Sequence, residues 1–225
     1  MEVTEAVLGR RSVRGFLPQA IDPAILRRVM ARANRAPSGG NVQPWHITAA
    51  SGAPLAALKQ AMAESYGAVE PEPEYAIYPP HLPEPYRSRR FANGEQLYAA
   101  LGIPRENKAA RLRWLGQNYQ FFGAPVALFI HTPRFMGPPQ WADLGMWMQS
   151  VMLLLLEEGL QSCAQECWSR YPHIVRRFIP IPDQHILFAA IALGHEDRAA
   201  PANALRTERA PLDEVATFIG FPAPD

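Results

Sequence analysis

Two short stretches of this chain bring chemically useful side chains close together. The first, Arg10-Arg11-Ser12-Val13-Arg14-Gly15-Phe16, sets three guanidinium groups and one hydroxyl within five residues. Arginine presents a planar fork of donors that matches phosphate oxygens and serine adds another, so an anionic phosphate is the natural partner. Taken alone, the same arginines also fit solvated charges beside a helix end, where cations are favoured. The second stretch is Ala36-Pro37-Ser38-Gly39-Gly40-Asn41-Val42-Gln43-Pro44-Trp45. Its amide and hydroxyl groups both donate and accept, which suits a flat heteroaromatic carrying carbonyls and ring nitrogens. Without the first stretch it reads equally as an ordinary loop.

Other chemistries find less support. His46, His81, His131, His173, His185 and His195 show no His-Glu-x-x-His spacing, so no metal site is expected. Cys163 and Cys167 lack the second pair of a four-ligand zinc site and read as buried, idle thiols. There is no Gly-x-Ser-x-Gly elbow and no phosphate-binding P-loop.

Periodicity supplies the elements that must hold these groups. Apolar residues at helical spacing predict a helix over 22–35, with Asp22 as N-cap and Pro23 in the first turn. A first strand is expected at 45–49 and a second helix at 55–66. From 70 to 90 the prolines predict an irregular surface excursion, within an insertion of about 67–105. A helix near 108–121 precedes the strand 124–131, which is apolar throughout as strands covered on both faces are. A long helix over 139–158, an extended segment at 162–166, a short helix at 170–178 and a strong strand at 185–194 follow. The tail 199–209 reads as irregular, and 212–219 as a short helix or extension. Alternating helices and apolar strands indicate α/β or α+β, not all-helical or all-β.

Composition narrows the partners. The 225 residues fit a single domain spanning 1–225, and 48% hydrophobic content with 19% charged residues argues against disorder. With 22 basic and 21 acidic side chains there is no overall field to draw the chain onto nucleic acid or an anionic membrane. The most apolar stretch, 144–156, falls short of the ~20 residues of a membrane span. With no basic-then-apolar leader at its start, a cytoplasmic location is expected.

Together, Arg-Arg-Ser-x-Arg-x-Phe near the start and Ala-Pro-Ser-x-x-Asn-x-Gln-Pro-Trp resemble the opening signature of the FMN-dependent nitroreductase family. Phe122-Gly123-Ala124-Pro125, the strand 186–194 ending in Ala-Leu-Gly, and the stretch with Asn203, Arg206, Arg209, Ala210, Pro211, Leu212 and Asp213 extend the resemblance along nearly the whole chain. The Tyr/Pro-rich segment is similar to the branch that reduces dinitroaniline-type compounds. The resemblance implies an α+β, three-layer fold, with a mostly antiparallel sheet flanked by helices, a lid insertion and an intertwined homodimer.

It further implies that Arg10, Arg11, Ser12 and Arg14, joined by Arg206 and Arg209, hold the FMN phosphate and ribityl chain. Pro37, Ser38, Gly39, Asn41 and Gln43 would meet the flavin from the other subunit, placing each site at the dimer interface. Asn118 or Gln117 would reach the pyrimidine edge. Cys163-Ala164-Gln165-Glu166-Cys167 falls where the family has Pro-x-Glu-Gly, so Gln165 and Glu166 would run beside the ring, with the Glu166 N–H near the reactive N5. Ala164 and Cys167 depart from the family's Pro and Gly. Arg14 is the expected donor that stabilises charge at the N1 and O2 edge.

The expected reaction is ping-pong: NADPH or NADH delivers hydride, leaves, and a small nitro-aromatic or quinone-like acceptor takes its place. Tyr75, Tyr78, Tyr86 and Phe91 of the insertion are the expected lid, selecting aromatic acceptors by stacking. A reductive dehalogenase-like flavin reaction, or a non-enzymatic flavin-binding protein, are the competing readings.

Overall fold

The computed structural model describes residues 1–222, so only the last three residues of the expected 1–225 domain lie outside it. Its strands are β1 (His46–Ser51), β2 (Val126–Pro133), β3 (Gln161–Gln165) and β4 (His185–Gly194). They pair in the order β1-β2-β4-β3, antiparallel at each step. The two most apolar segments, β2 and β4, take the centre because they are covered on both faces.

Alternation along these strands divides their side chains between two layers. Ala127, Phe129, Ala190 and Ala192 face one core, with Leu55, Leu58 and Met62 of α3 (Gly52–Ser65) and Ile174 and Val175 of α7 (Pro172–Arg176). Val126, Leu128, Ile191 and Leu193 face the other, against Val29 and Ala33 of α2 (Pro23–Ala33) and Leu144, Trp147 and Val151 of α6 (Pro138–Glu157). A bulge between Ile130 and His131 shifts the phase at one end. The result is the expected three-layer α+β arrangement. No helix among the described residues is long and apolar enough to cross a membrane.

Several boundaries follow sequence chemistry directly. The Asp22 carboxylate accepts from Ala24 N at 2.8 Å, capping α2 as expected. The helix expected over 108–121 instead stops early, as α5 (Lys108–Gly116), followed by a 3-10 segment at Gln117–Gly123. Phe121 and Phe122 adopt left-handed backbone (φ 51° and 52°), which turns both rings into the core, Phe121 stacking on the buried Trp168 at 4.3 Å. Burial of such rings, worth about 1.5–3 kcal/mol each, outweighs the local preference for continuing the helix.

Two helices were not anticipated. The first, α1 (Val3–Gly9), is an N-terminal helix in which the Glu5 carboxylate accepts from Glu2 N. The excursion expected to be irregular through residue 90 ends at Pro85, the N-cap of α4 (Tyr86–Ala100). The prolines stop there, and the following residues are free to form a helix. Last comes the single turn α8 (Leu212–Val215).

The start of the insertion is tied to the sheet. The carboxylate of Glu74 accepts from Arg134 Nη2, Arg176 Nη2 and Leu187 N at 2.5, 3.0 and 2.6 Å. The Tyr75 hydroxyl donates to Phe188 O, and its ring packs on Phe188 and Trp141. Tyr75 is therefore an anchor, whereas Tyr78, Tyr86 and Phe91 are exposed.

Beside this anchor, His131 and His185 sit buried with Nδ1 atoms 2.8 Å apart, and the His46 ring lies edge-on to His185. Burial, followed by the nearby His185 charge, holds His131 down at about 4; burial also lowers His185. Both are neutral in the folded protein near neutral pH, while the unfolded chain takes up these protons near pH 6.5. Stability should therefore be full above pH 6.5 and fall by on the order of 2 kcal/mol as the pH drops towards 4.5. Urea unfolding of the wild type and His131→Gln across that window checks this: the variant should lose much of the pH dependence, and parallel curves would contradict it.

Candidate functional site

The basic stretch is held as an extended strand at the end of the sheet. Ser12 pairs in parallel with Ser162 of β3, and Val13 N donates to Ser162 O at 3.0 Å. Phe16 N donates to Phe122 O and Leu17 N to His195 O, at 3.1 and 2.9 Å. Val13 and Phe16 are buried, whereas Ser12 and Arg14 are half-buried and face the space beside the sheet. Gly15 is required by proximity: a Cβ there would stand 2.3 Å from the Ala200 Cβ. This contact lets residues 197–206 lie directly against the basic strand.

Between the two segments opens a cavity of about 610 Å³, lined by Arg10, Arg11, Ser12, Arg14, Arg206 and Arg209. The structure thus gathers into one place the six residues expected to hold a phosphate, although they come from opposite ends of the chain. Arg11 is neutralised by Glu196, its Nη2 donating to Oε1 at 2.5 Å. Among the described residues, no carboxylate pairs with Arg10, Arg14, Arg206 or Arg209. Four positive groups converging without a counter-ion favour an anion in the cavity. The volume exceeds what a phosphate alone would fill and admits a larger molecule carrying one.

Beneath this cluster, burial pushes the Cys163 thiol up despite the opposing pull of the Arg14 charge, so it stays protonated. Burial likewise raises Cys167. No group of three or more metal-ligating side chains suited to a metal ion occurs among the described residues.

The loop carrying Pro37, Ser38, Gly39, Asn41 and Gln43 does not share this cavity. Pro37 lines a groove between α1, α2 and α6, and Gln43 lines a separate hollow beside β1. Gly40, Asn41 and Gln43 all adopt positive φ (57°, 55° and 51°), a conformation unusual for the two side-chain-bearing residues. Local bonds hold it: Gln43 N to Ser38 Oγ at 3.0 Å and Gln43 Nε2 to Asn41 O at 3.2 Å. The exposed loop is thereby shaped in advance, presenting amide groups outward.

Asn118 and Gln165 are brought together. Gln165, buried at the end of β3, donates from Nε2 to Asn118 O and Oδ1 at 2.8 and 3.2 Å, while Asn118 Nδ2 donates to Leu115 O. Gln165 Oε1 is buried without a partner. The next residue, Glu166, is exposed, yet partial burial of its carboxyl raises its pKa. Gln117 is exposed.

The cavity has further walls that sequence reading left out. Gln149 of α6 had a signal, as one of two polar residues interrupting an apolar helix. Asn93 of α4 and Thr207 had none, since their place depends on how α4 and the C-terminal segment pack.

Comparison with known proteins gives a concordant picture. The model of the Nitroreductase family matches residues 7–195. The chain is 33% identical to a nitrobenzene nitroreductase of Ectopseudomonas oleovorans, over 96% of each chain. It superposes with a TM-score of 0.95 on the FMN and NADPH-dependent nitroreductase NfnB from sphigopyxis sp. strain HMH, at 50% identity, covering 98% of this chain and 100% of that one. For the FMN-dependent nitroreductase NfnB from Mycobacterium smegmatis in complex with NADPH the TM-score is 0.92 at 30% identity, covering 96% and 97%.

The contact at Gly15 makes a direct test of the cavity's construction. Gly15→Ala should destabilise the protein by about 1–3 kcal/mol through overpacking against Ala200. Adding Ala200→Gly should recover much of that loss, as read from chemical unfolding midpoints. Losses that simply add would show that the two backbones do not meet as described.

Proposed function

The chain belongs to the Nitroreductase family, and from this premise we propose that it is an FMN-dependent NAD(P)H oxidoreductase that reduces nitro-aromatic acceptors. The cofactor assignment is carried by the cavity lined by five arginines, four of which have no carboxylate partner among the described residues. A flavin mononucleotide fits it: Arg10, Ser12, Arg14, Arg206 and Arg209 hold the phosphate and ribityl chain, while Arg11 is braced by Glu196. Asn118, Gln165 and Glu166, at the end of β3, would border the ring. Bound FMN supplies the redox chemistry, taking two electrons from NADPH or NADH and passing them to the acceptor.

The protein's part is placement and charge. Arg14, fixed through its backbone, would supply positive charge to the bound flavin. Glu166 would present its backbone N–H to the ring, with no acid–base role assigned to its exposed side chain.

The working unit in this reading is a homodimer. Leu8 of α1 and Ile219 near the C-terminus are 81% and 85% exposed, and Val3, Phe218 and Phe221 are exposed as well. So many exposed large apolar side chains favour burial against a second copy. The pre-shaped loop 37–43, outside its own chain's cavity, would then complete the partner's site. Exposed Tyr78, Tyr86 and Phe91 supply the aromatic surface for an acceptor.

The purified protein should be a yellow dimer whose visible spectrum is bleached by anaerobic NADPH and restored by nitrobenzene or 4-nitrobenzoate. A yellow protein that NADPH leaves unchanged would make it a flavin binder only, and failure to take up FMN would overturn the reading. Arg14→Ala and Arg209→Ala should each weaken FMN binding about tenfold or more, the loss of one charge-assisted bond. Full FMN affinity in both variants would remove the cavity from the cofactor site.

A further inference from the structure

We propose that Asn203 is a positioning residue that confers preference for phosphorylated flavin, by holding the Arg14 backbone and the Arg206 guanidinium in place without touching the cofactor. The inference rests on the assignment of the arginine cavity to FMN and adds to it the element that gives the cavity its shape.

Asn203 is 4% exposed and is not among the residues lining the cavity. Its side chain is fully engaged. Oδ1 accepts from Arg14 N at 2.7 Å, and the two Nδ2 hydrogens go to Gly15 O at 2.9 Å and Asp197 O at 2.8 Å. Its backbone carbonyl accepts from Arg206 Nη1 at 2.9 Å. One residue therefore grips an arginine from each end of the chain. The sheet holds the basic strand at Val13 and Phe16, whose N–H groups bond to Ser162 O and Phe122 O. Between them, Arg14 N is held by Asn203.

The chemistry selects an amide. One acceptor and two donors in a single plane are needed at a buried site, which asparagine provides. Aspartate would set negative charge against two carbonyl oxygens, and an apolar residue would take the partner from the Arg14 N–H and leave the Gly15 and Asp197 carbonyls with only their backbone donors. Gly15 accommodates the clamp, since a Cβ there would lie 3.2 Å from Asn203 Nδ2.

Riboflavin shares the ring and ribityl chain of FMN and lacks the phosphate, so the ratio of the two affinities isolates what the arginines contribute at the phosphate. The full-length apoprotein is titrated with FMN and with riboflavin by fluorescence quenching, for the wild type, Asn203→Ala and Asn203→Ser. Asn203→Ala should bind FMN at least tenfold more weakly and lose clearly less affinity for riboflavin, so that the FMN-to-riboflavin ratio falls severalfold. Asn203→Ser, which keeps one hydroxyl at the site, should fall between the two and serves as the test if the alanine variant does not fold. Equal weakening of both flavins, which a merely structural role predicts, would overturn the proposal. So would an unchanged FMN-to-riboflavin ratio. A wild type that binds neither flavin would instead sink the FMN reading itself, and this inference with it.

Discussion

Arginines that converge on a cavity without counter-ions repel one another, and a fold can keep them there only by fixing the backbones that carry them. In this protein the fixing is done by the sheet. The basic strand is bonded to β3 and to residues just beyond β4, while residues 197–206 close over it. Side chains that would separate these layers are absent where the layers touch, at Gly15 against Ala200 and at Gly194 against Phe16. The positive cavity is thus a property of the end of the sheet, held by two central strands buried on both faces.

The remaining parts of the site depend on that rigid end in different ways. Gln165 and Glu166 continue directly from β3, so their distance from the cavity is set by strand geometry. The loop before β1 gets its shape from local bonds and left-handed residues, and lies apart from its own chain's cavity. The insertion is firmly held at Glu74 and Tyr75, while its aromatic side chains further on remain exposed. A rigid phosphate seat, a pre-shaped loop and an anchored, exposed aromatic segment are a coherent division of labour for a flavin enzyme that accepts varied aromatic substrates.

Much of this was legible in the residues. The apolar runs that became β2 and β4 announce doubly covered strands, and Asp22-Pro23 marks the start of α2. Arginine clustering identifies the phosphate site, and the resemblance joins it to Arg206 and Arg209. What sequence could not show depends on contacts between distant segments. The Asn203 clamp on Arg14 spans 189 residues and leaves no local pattern. Phe121 and Phe122 break a helix because a core on the other side of the chain receives them. Tyr75 resembles the other aromatic residues of the insertion until its hydroxyl is seen bonded to Phe188 O. The helix α4 was hidden by the density of prolines just before it.

Whether the unpaired arginines seat the cofactor phosphate is decided by a crystal structure of the protein with FMN bound. The phosphate should lie within hydrogen-bonding distance, about 3 Å, of the Ser12 hydroxyl and of guanidinium groups among Arg10, Arg14, Arg206 and Arg209. A flavin whose phosphate lies elsewhere, with those four arginines turned to solvent, would contradict it.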